Sequence, residues 1–130
     1  MRDNGIIARE DYAPGKQELG RRGEQIAADY LAARGMRILD RNWRSTHGEL
    51  DLVVQDATHV IAVEVKTRSG TGYGSPLQAI TPQKAARIRR TLFDWVREHK
   101  MRGAALRMDV IGIVIRAGEP PKLDYLRGIQ

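Results

Sequence analysis

The sequence specifies an α/β domain with a central sheet of about four to five strands and helices on both faces. Three observations lead there. Apolar periodicity runs in the order helix, three strands, helix, then one or two strands. The chain has 130 residues, the size of one ordinary domain that can bury its own core. It contains no cysteine, so that core is not stapled by disulfides or thiolate metal sites.

Residues 1–15 mix charges with Gly5, Pro14 and Gly15 and show no sustained period. They read as a flexible tail, with a short ordered piece around Ile6 and Ile7; residues 16–130 read as a single domain. From Lys16 to Arg34 the period is helical, and Leu19, Gly23, Ile26, Ala27, Tyr30 and Leu31 share one face. Gly35 stops that helix. Met36 to Trp43, Leu50 to Val54 and Val60 to Val65 read as three strands, the last two joined as a hairpin by Gln55 to His59. A glycine-rich loop, SGTGYGSP (residues 69–76), follows. Thr81 and Pro82 form a strong helix start, as N-cap and first helical residue. That helix extends to about Lys100, with Ala85, Ile88, Leu92, Trp95 and Val96 on its buried stripe and Arg87, Arg90 and Arg97 pointing away. Gly103 ends the following turn. Met108 to Ile115 reads as a fourth strand and Leu123 to Leu126 as a short fifth.

No run of 18 or more apolar residues exists and the N-terminus lacks an apolar signal segment, so the expectation is a soluble, cytoplasmic protein without a membrane partner. The formal net charge is +6, the pI is about 10.1, and arginine greatly outnumbers lysine. A basic domain suits a polyanionic partner, because neutralised phosphates release their condensed counterions. Aromatic residues are few, which counts against a base-stacking platform.

The segment HGELDLVVQDATHVIAVEVKTR (residues 47–68) places Glu49, Asp51, Glu64 and Lys66 within two strongly apolar strands. A charge there is costly unless it is paired, solvated or bound to a metal. Alternation groups Leu50, Leu52 and Val54 on one face of the second strand and Glu49, Asp51 and Val53 on the other. In the third strand Ile61, Val63 and Val65 share a face opposite to Ala62, Glu64 and Lys66. A hairpin centred between Ala57 and Thr58 sets Asp51 opposite Glu64, and Glu49 opposite Lys66. Like charges so placed are destabilising. Solvation of the face, a nearby cation such as Lys66, or a divalent metal each resolves the conflict. Magnesium suits the last case, since it takes one or two carboxylates, retained waters and substrate phosphate oxygens.

An acid in one strand followed by Glu-x-Lys in the next resembles the core of the PD-(D/E)XK nuclease superfamily. Gly48, Glu49, Leu50 and Asp51 stand where that motif carries its proline. More narrowly, the chain resembles the YraN family of bacterial proteins. The matching pieces are RRGEQIAADYL (21–31), GMRILDRNWR (35–44), GELDLV (48–53), VEVKTR (63–68), QAITPQKAARI (78–88) and RMDVIGI (107–113). The resemblance implies a restriction-endonuclease-like fold with a mixed central sheet. It implies Asp51 and Glu64 as ligands of Mg²⁺ (or Mn²⁺), with the Val65 carbonyl as a third, and Lys66 as the residue that orients the attacking water. Glu24 matches the helix-borne acid of the related archaeal Holliday-junction resolvases. Three roles are open to Glu49, as a supporting acid, a partner for Lys66 or a ligand, and a salt-bridging or supporting role is the leading expectation. Gln78 and Lys84 fall where such folds place polar groups that face substrate.

The loop at residues 69–76 has neither the spacing of a dinucleotide fingerprint nor the lysine of a phosphate loop. It reads equally as a flap over substrate or a connector. His47, His59 and His99 lack metal-ligand spacing, and His47 reads as a polar loop residue. Arg21, Arg22, Arg44 and Arg68 are expected to contact the nucleic-acid backbone, which positions a substrate without reading its sequence. The leading expectation is a magnesium-dependent, endonuclease-like hydrolase acting on DNA, with branched or structured DNA as the substrate by analogy. A homodimer would suit cleavage of two strands. A nucleic-acid-binding module of the same fold with little or no activity is the alternative, and a purely protein-binding basic domain is a third.

Overall fold

The computed structural model describes residues 15–70, 74–101 and 103–130. The expected ordered piece at Ile6 and Ile7 lies outside the described residues. The chain runs α1 (Lys16–Ala33), β1 (Arg37–Ser45), β2 (Gly48–Gln55), β3 (His59–Arg68), a 3-10 turn (Pro76–Ala79), α2 (Pro82–Glu98), β4 (Ala105–Val114) and β5 (Lys122–Leu126). The 3-10 turn is additional to the expected elements. Pro76 presets its backbone, and Ser75 Oγ accepts the Leu77 N–H at 3.2 Å, so a local cap forms the turn where the glycine-rich loop ends.

The helix ends follow from capping chemistry. Gly35 takes φ +89°, and the N–H groups of Gly35 and Met36 return to the carbonyls of Ala32 and Leu31, which closes α1. Thr81 Oγ1 accepts the Lys84 N–H at 3.1 Å and Pro82 opens α2.

The sheet order is β1-β2-β3-β4-β5. Only β3 and β4 are parallel, so the sheet is mixed, and α2 lies in the crossover that a parallel pair requires. Each face carries one helix. Ala27, Ala28 and Leu31 of α1 pack with Leu52, Val54, Ile61 and Val63. The expected α2 stripe is buried, and packs with Leu50, Val53, Val60 and Ala62 on the other face. The architecture is α/β and compatible with a restriction-endonuclease-like fold.

Leu50 corrects the expected alternation. It belongs to the α2 face with Trp43, not to the α1 face with Leu52 and Val54. Two features coincide at this point. The β2–β3 pairing stops at Leu52↔Val63, and Asn42, between the Arg41↔Leu52 and Trp43↔Leu50 pairs, has φ +51°. With one neighbour lost and the other bent, β2 is free to turn about Asp51.

Two contacts fix the layers. A Cβ at Gly23 would collide with Thr67, so α1 rests directly on β3. Asp109, fully buried on β4, accepts from Arg107 Nε and Nη2 (both 2.9 Å), Tyr125 Oη (2.6 Å) and the Gly128 N–H (2.9 Å). These bonds tie β5 and the segment after it to the sheet.

Gly23→Ala should therefore destabilise the protein by about 1–3 kcal/mol in urea denaturation, and Thr67→Ala in the same chain should recover part of the loss. Among the described residues, Asp109→Ala leaves the largely buried Arg107 guanidinium with only its longer ion pair to Asp56, at 3.4 Å. Its expected cost is about 3–5 kcal/mol by the same measurement, whereas a surface change such as Glu119→Ala should stay within about 0.5 kcal/mol.

Candidate active site

β2 and β3 pair from Gln55↔Val60 to Leu52↔Val63, the register in which Asp51 would next meet Glu64. There the main-chain ladder stops. Asp51 Oδ2 accepts the Val65 N–H at 2.9 Å, so a side chain replaces the backbone partner at the point where the strands part. Asp51 also lies within hydrogen-bonding reach of Glu64. On the other side of the pair, Lys84 Nζ stands 3.0 Å from Glu64 Oε2. Alternation along β3 explains this. Glu64 shares its face with Ala62 and Val60, which pack against α2, and Lys84 lies in the first turn of that helix.

Burial, and then the charge of Glu64, push the Asp51 carboxyl up to about 8; the Val65 N–H opposes them. Asp51 thus holds its proton near neutral pH in the absence of a cation. Glu24 is also raised. Burial is the main cause, a hydrogen bond from Asn42 opposes it, and the charges of Glu49 and Glu64 add to it. Lys66 is lowered by burial first and then by Arg68 and Lys84, against the pull of Glu64 and Asp51. The structure therefore brings Glu24, Asp51, Glu64 and Lys66 into one electrostatic neighbourhood. Gly23 is what allows Glu24 this position, since its contact with Thr67 lowers α1 onto β3 beside the site.

A groove of about 380 Å³ lies between α1 and β3, bordered by Lys16, Glu24, Val65, Lys66 and Arg68. Gln78 and Arg68 meet Lys66 at a second cavity on the far side of β3. The other expected contacts lie apart. Arg21 and Arg22 are exposed on α1 and border neither cavity. Arg44, 77 % exposed, stands 3.4 Å from Glu49. Glu49 thus pairs along the β1–β2 hairpin and not with Lys66 across the β2–β3 one, because the latter ladder has already ended. Lys84, expected to face a phosphate, is engaged with Glu64. His47 sits at the β1–β2 turn, its Nδ1 2.6 Å from Asp94 Oδ2 on α2. Asn42 and its bond to Glu24 carry no signal in the sequence, because a strand asparagine looks like any other polar strand residue.

The donor set suits a hard divalent cation. Asp51 and Glu64 offer carboxylate oxygens and Val65 a backbone carbonyl at the same fork. Among the described residues no group of three or more His, Asp or Glu side chains forms a closed metal cage. Magnesium, which keeps several waters and takes few protein carboxylates, fits such an open site better than calcium.

The Asp51 proton makes stability depend on pH. The folded protein binds it more tightly than the unfolded chain, whose aspartates titrate near 4. Stability is thus greatest at the acid end of this window and falls as pH rises towards 8. In EDTA, Asp51→Asn should remove this slope. The melting temperature of the variant should exceed that of the wild type by about 5 °C near pH 8, with the gap closing near pH 5.

The match to known proteins covers this whole arrangement. The model of the uncharacterised protein family UPF0102 matches residues 23–113, from the glycine that seats α1 to the last residue but one of β4. A UPF0102 protein of Frankia casuarinae is 50 % identical over 113 residues, covering 87 % of this chain and 96 % of its own length. Those of Leifsonia xyli subsp. xyli and Arthrobacter sp. are 46 % and 43 % identical over 114 residues, each covering 88 % of this chain and 97 % of its own. With that coverage, the chain belongs to the UPF0102 family.

Proposed function

We propose that this protein is a metal-dependent nuclease that hydrolyses phosphodiester bonds in DNA. The observation that carries the reading is the Asp51–Glu64 pair at the fork of β2 and β3, with Lys66 one strand step beyond Glu64. That arrangement, together with the resemblance of GELD and EVK to the PD-(D/E)XK core, supports hydrolysis. Asp51, Glu64 and the Val65 carbonyl would hold Mg²⁺ (or Mn²⁺). The bound ion would supply Lewis-acid polarisation of the phosphate and a nucleophile at neutral pH. Lys66, whose lowered pKa eases exchange of its proton, orients the attacking water and offsets negative charge that builds on the phosphate. Glu24 faces the same carboxylates from α1 and is placed to accept a proton or hold a water from that side. Arg68 borders both cavities at the site and is suited to hold the strand. Branched or structured DNA is the first substrate class by superfamily analogy. No described helix is long and apolar enough to cross a membrane.

One observation favours a second reading, a nucleic-acid-binding module without turnover. The Lys84–Glu64 ion pair already offsets one carboxylate with an internal cation. Metal binding decides between the two. Calorimetric titration with Mn²⁺ should show binding to the wild type that both Asp51→Ala and Glu64→Ala abolish while circular dichroism shows an intact fold. If no ion binds, even with a DNA oligomer present, the second reading replaces the first.

For the nuclease, Lys66→Ala should lower the cleavage rate by about 10²–10⁴-fold on a panel of branched, single-stranded and duplex DNA, and affect DNA affinity far less. Absence of cleavage by the wild type across that panel with Mg²⁺ or Mn²⁺ would defeat the proposal.

A further inference from the structure

A cavity of about 500 Å³ lies beyond Lys66, between the ends of β3 and β4, β5 and the 3-10 turn. Its volume falls within the range of small-ligand sites, roughly 300–1,000 Å³. The turn forms one wall because β4 admits it. A Cβ at Gly112 would run into Pro76, so only glycine lets the turn lie flat on the strand.

Strand alternation sets the chemistry of the other walls. Lys66 and Arg68 share one face of β3, and Lys122 and Asp124 share one face of β5; all four border the cavity. Gly112, on which Pro76 rests, pairs with Lys66 on one side and Asp124 on the other. Gln78 and Ser75 add neutral polar groups, and Pro76 and Ala79 an apolar surface. Among the described residues, no hydrogen bond or ion pair engages the side chains of Lys122 or Asp124.

We infer that this cavity takes one unpaired nucleotide of a nucleic-acid strand. Three cations suit its phosphate. A bare phosphate would leave most of the volume unfilled and would meet Asp124 with no favourable role. A nucleotide uses both, because a carboxylate accepts from an exocyclic amine such as cytosine N4, and the apolar surface covers a base or sugar. Lys66 belongs both to this cavity and to the carboxylate site, so a strand seated here has a neighbouring phosphate beside Asp51 and Glu64. The inference rests on the nuclease reading for that geometry and deepens it: the substrate would carry an unpaired nucleotide next to the bond that is cut.

Binding can be measured in EDTA, with catalysis silent. Calorimetric titration of the full chain with dCMP and with inorganic phosphate should show dCMP bound about tenfold more tightly. Lys122→Ala should weaken both ligands, whereas Asp124→Ala should weaken dCMP by about tenfold and leave phosphate unweakened. A DNA hairpin ending in one unpaired 3′ cytidine should displace dCMP more effectively than its blunt counterpart. Equal affinity for dCMP and phosphate, or variants that bind as the wild type does, would overturn the inference. So would equal displacement by the two hairpins, which would assign the cavity to a free nucleotide. Asp51→Asn should bind dCMP as the wild type does, so a failure of cleavage and a failure of this site are separately visible.

Discussion

The hydrogen bond from the Val65 N–H to the Asp51 carboxylate decides how the middle of the sheet ends. Up to Leu52↔Val63 the two strands satisfy each other's main chains. One step further, a side chain takes over the N–H, and the strands are released from one another while that donor keeps its partner. An apolar residue at position 51 would leave the partly buried Val65 N–H without this acceptor. The charge that looks anomalous in an apolar strand is thus part of the structure as well as of the proposed chemistry.

Around that fork each layer contributes one constraint. Gly23 lowers α1 until Glu24 comes within electrostatic range of Glu64 and Asp51. The Thr81 cap starts α2 where Lys84 can reach Glu64. Gly112 admits the 3-10 turn, which walls the cavity beside Lys66. Two glycines and a threonine therefore do as much to place the site as the charged residues within it. None of the three touches the carboxylate pair itself.

This division explains what the sequence made legible. Periodicity placed both helices and all five strands, and the stripe Ala85, Ile88, Leu92, Trp95 and Val96 is buried as read. The hairpin register was also legible, because one set of apolar residues fits only one parity. Leu50 was not, since alternation assumes a continuous ladder and the ladder ends just before it. The partners of Glu49 and Lys84 were not legible for a related reason: ion pairs are chosen by tertiary distance, and residues 49 and 66 are separated by the parting of the strands. Arg107 and Asp109 were visible only as part of a family motif, RMDVIGI. Their bonds to Tyr125 and Gly128 depend on where β5 docks, which no local pattern encodes.

The same distinction bears on how the site handles charge. Among the described residues Lys66 makes no ion pair within hydrogen-bonding distance, while Lys84 is committed to Glu64. Two lysines flank one carboxylate, yet they differ in kind. Lys84 enters from a helix and neutralises Glu64 when no metal does. Lys66 lies on the strand that bears Glu64, at a position bordered by the cavities on either side of β3. Under the proposed function, a divalent cation at Asp51 and Glu64 would displace the Asp51 proton and weaken the demand for Lys84. The ion pair with Glu64 would then give way to the phosphate contact expected of Lys84, so that what occupies the fork would select its partner.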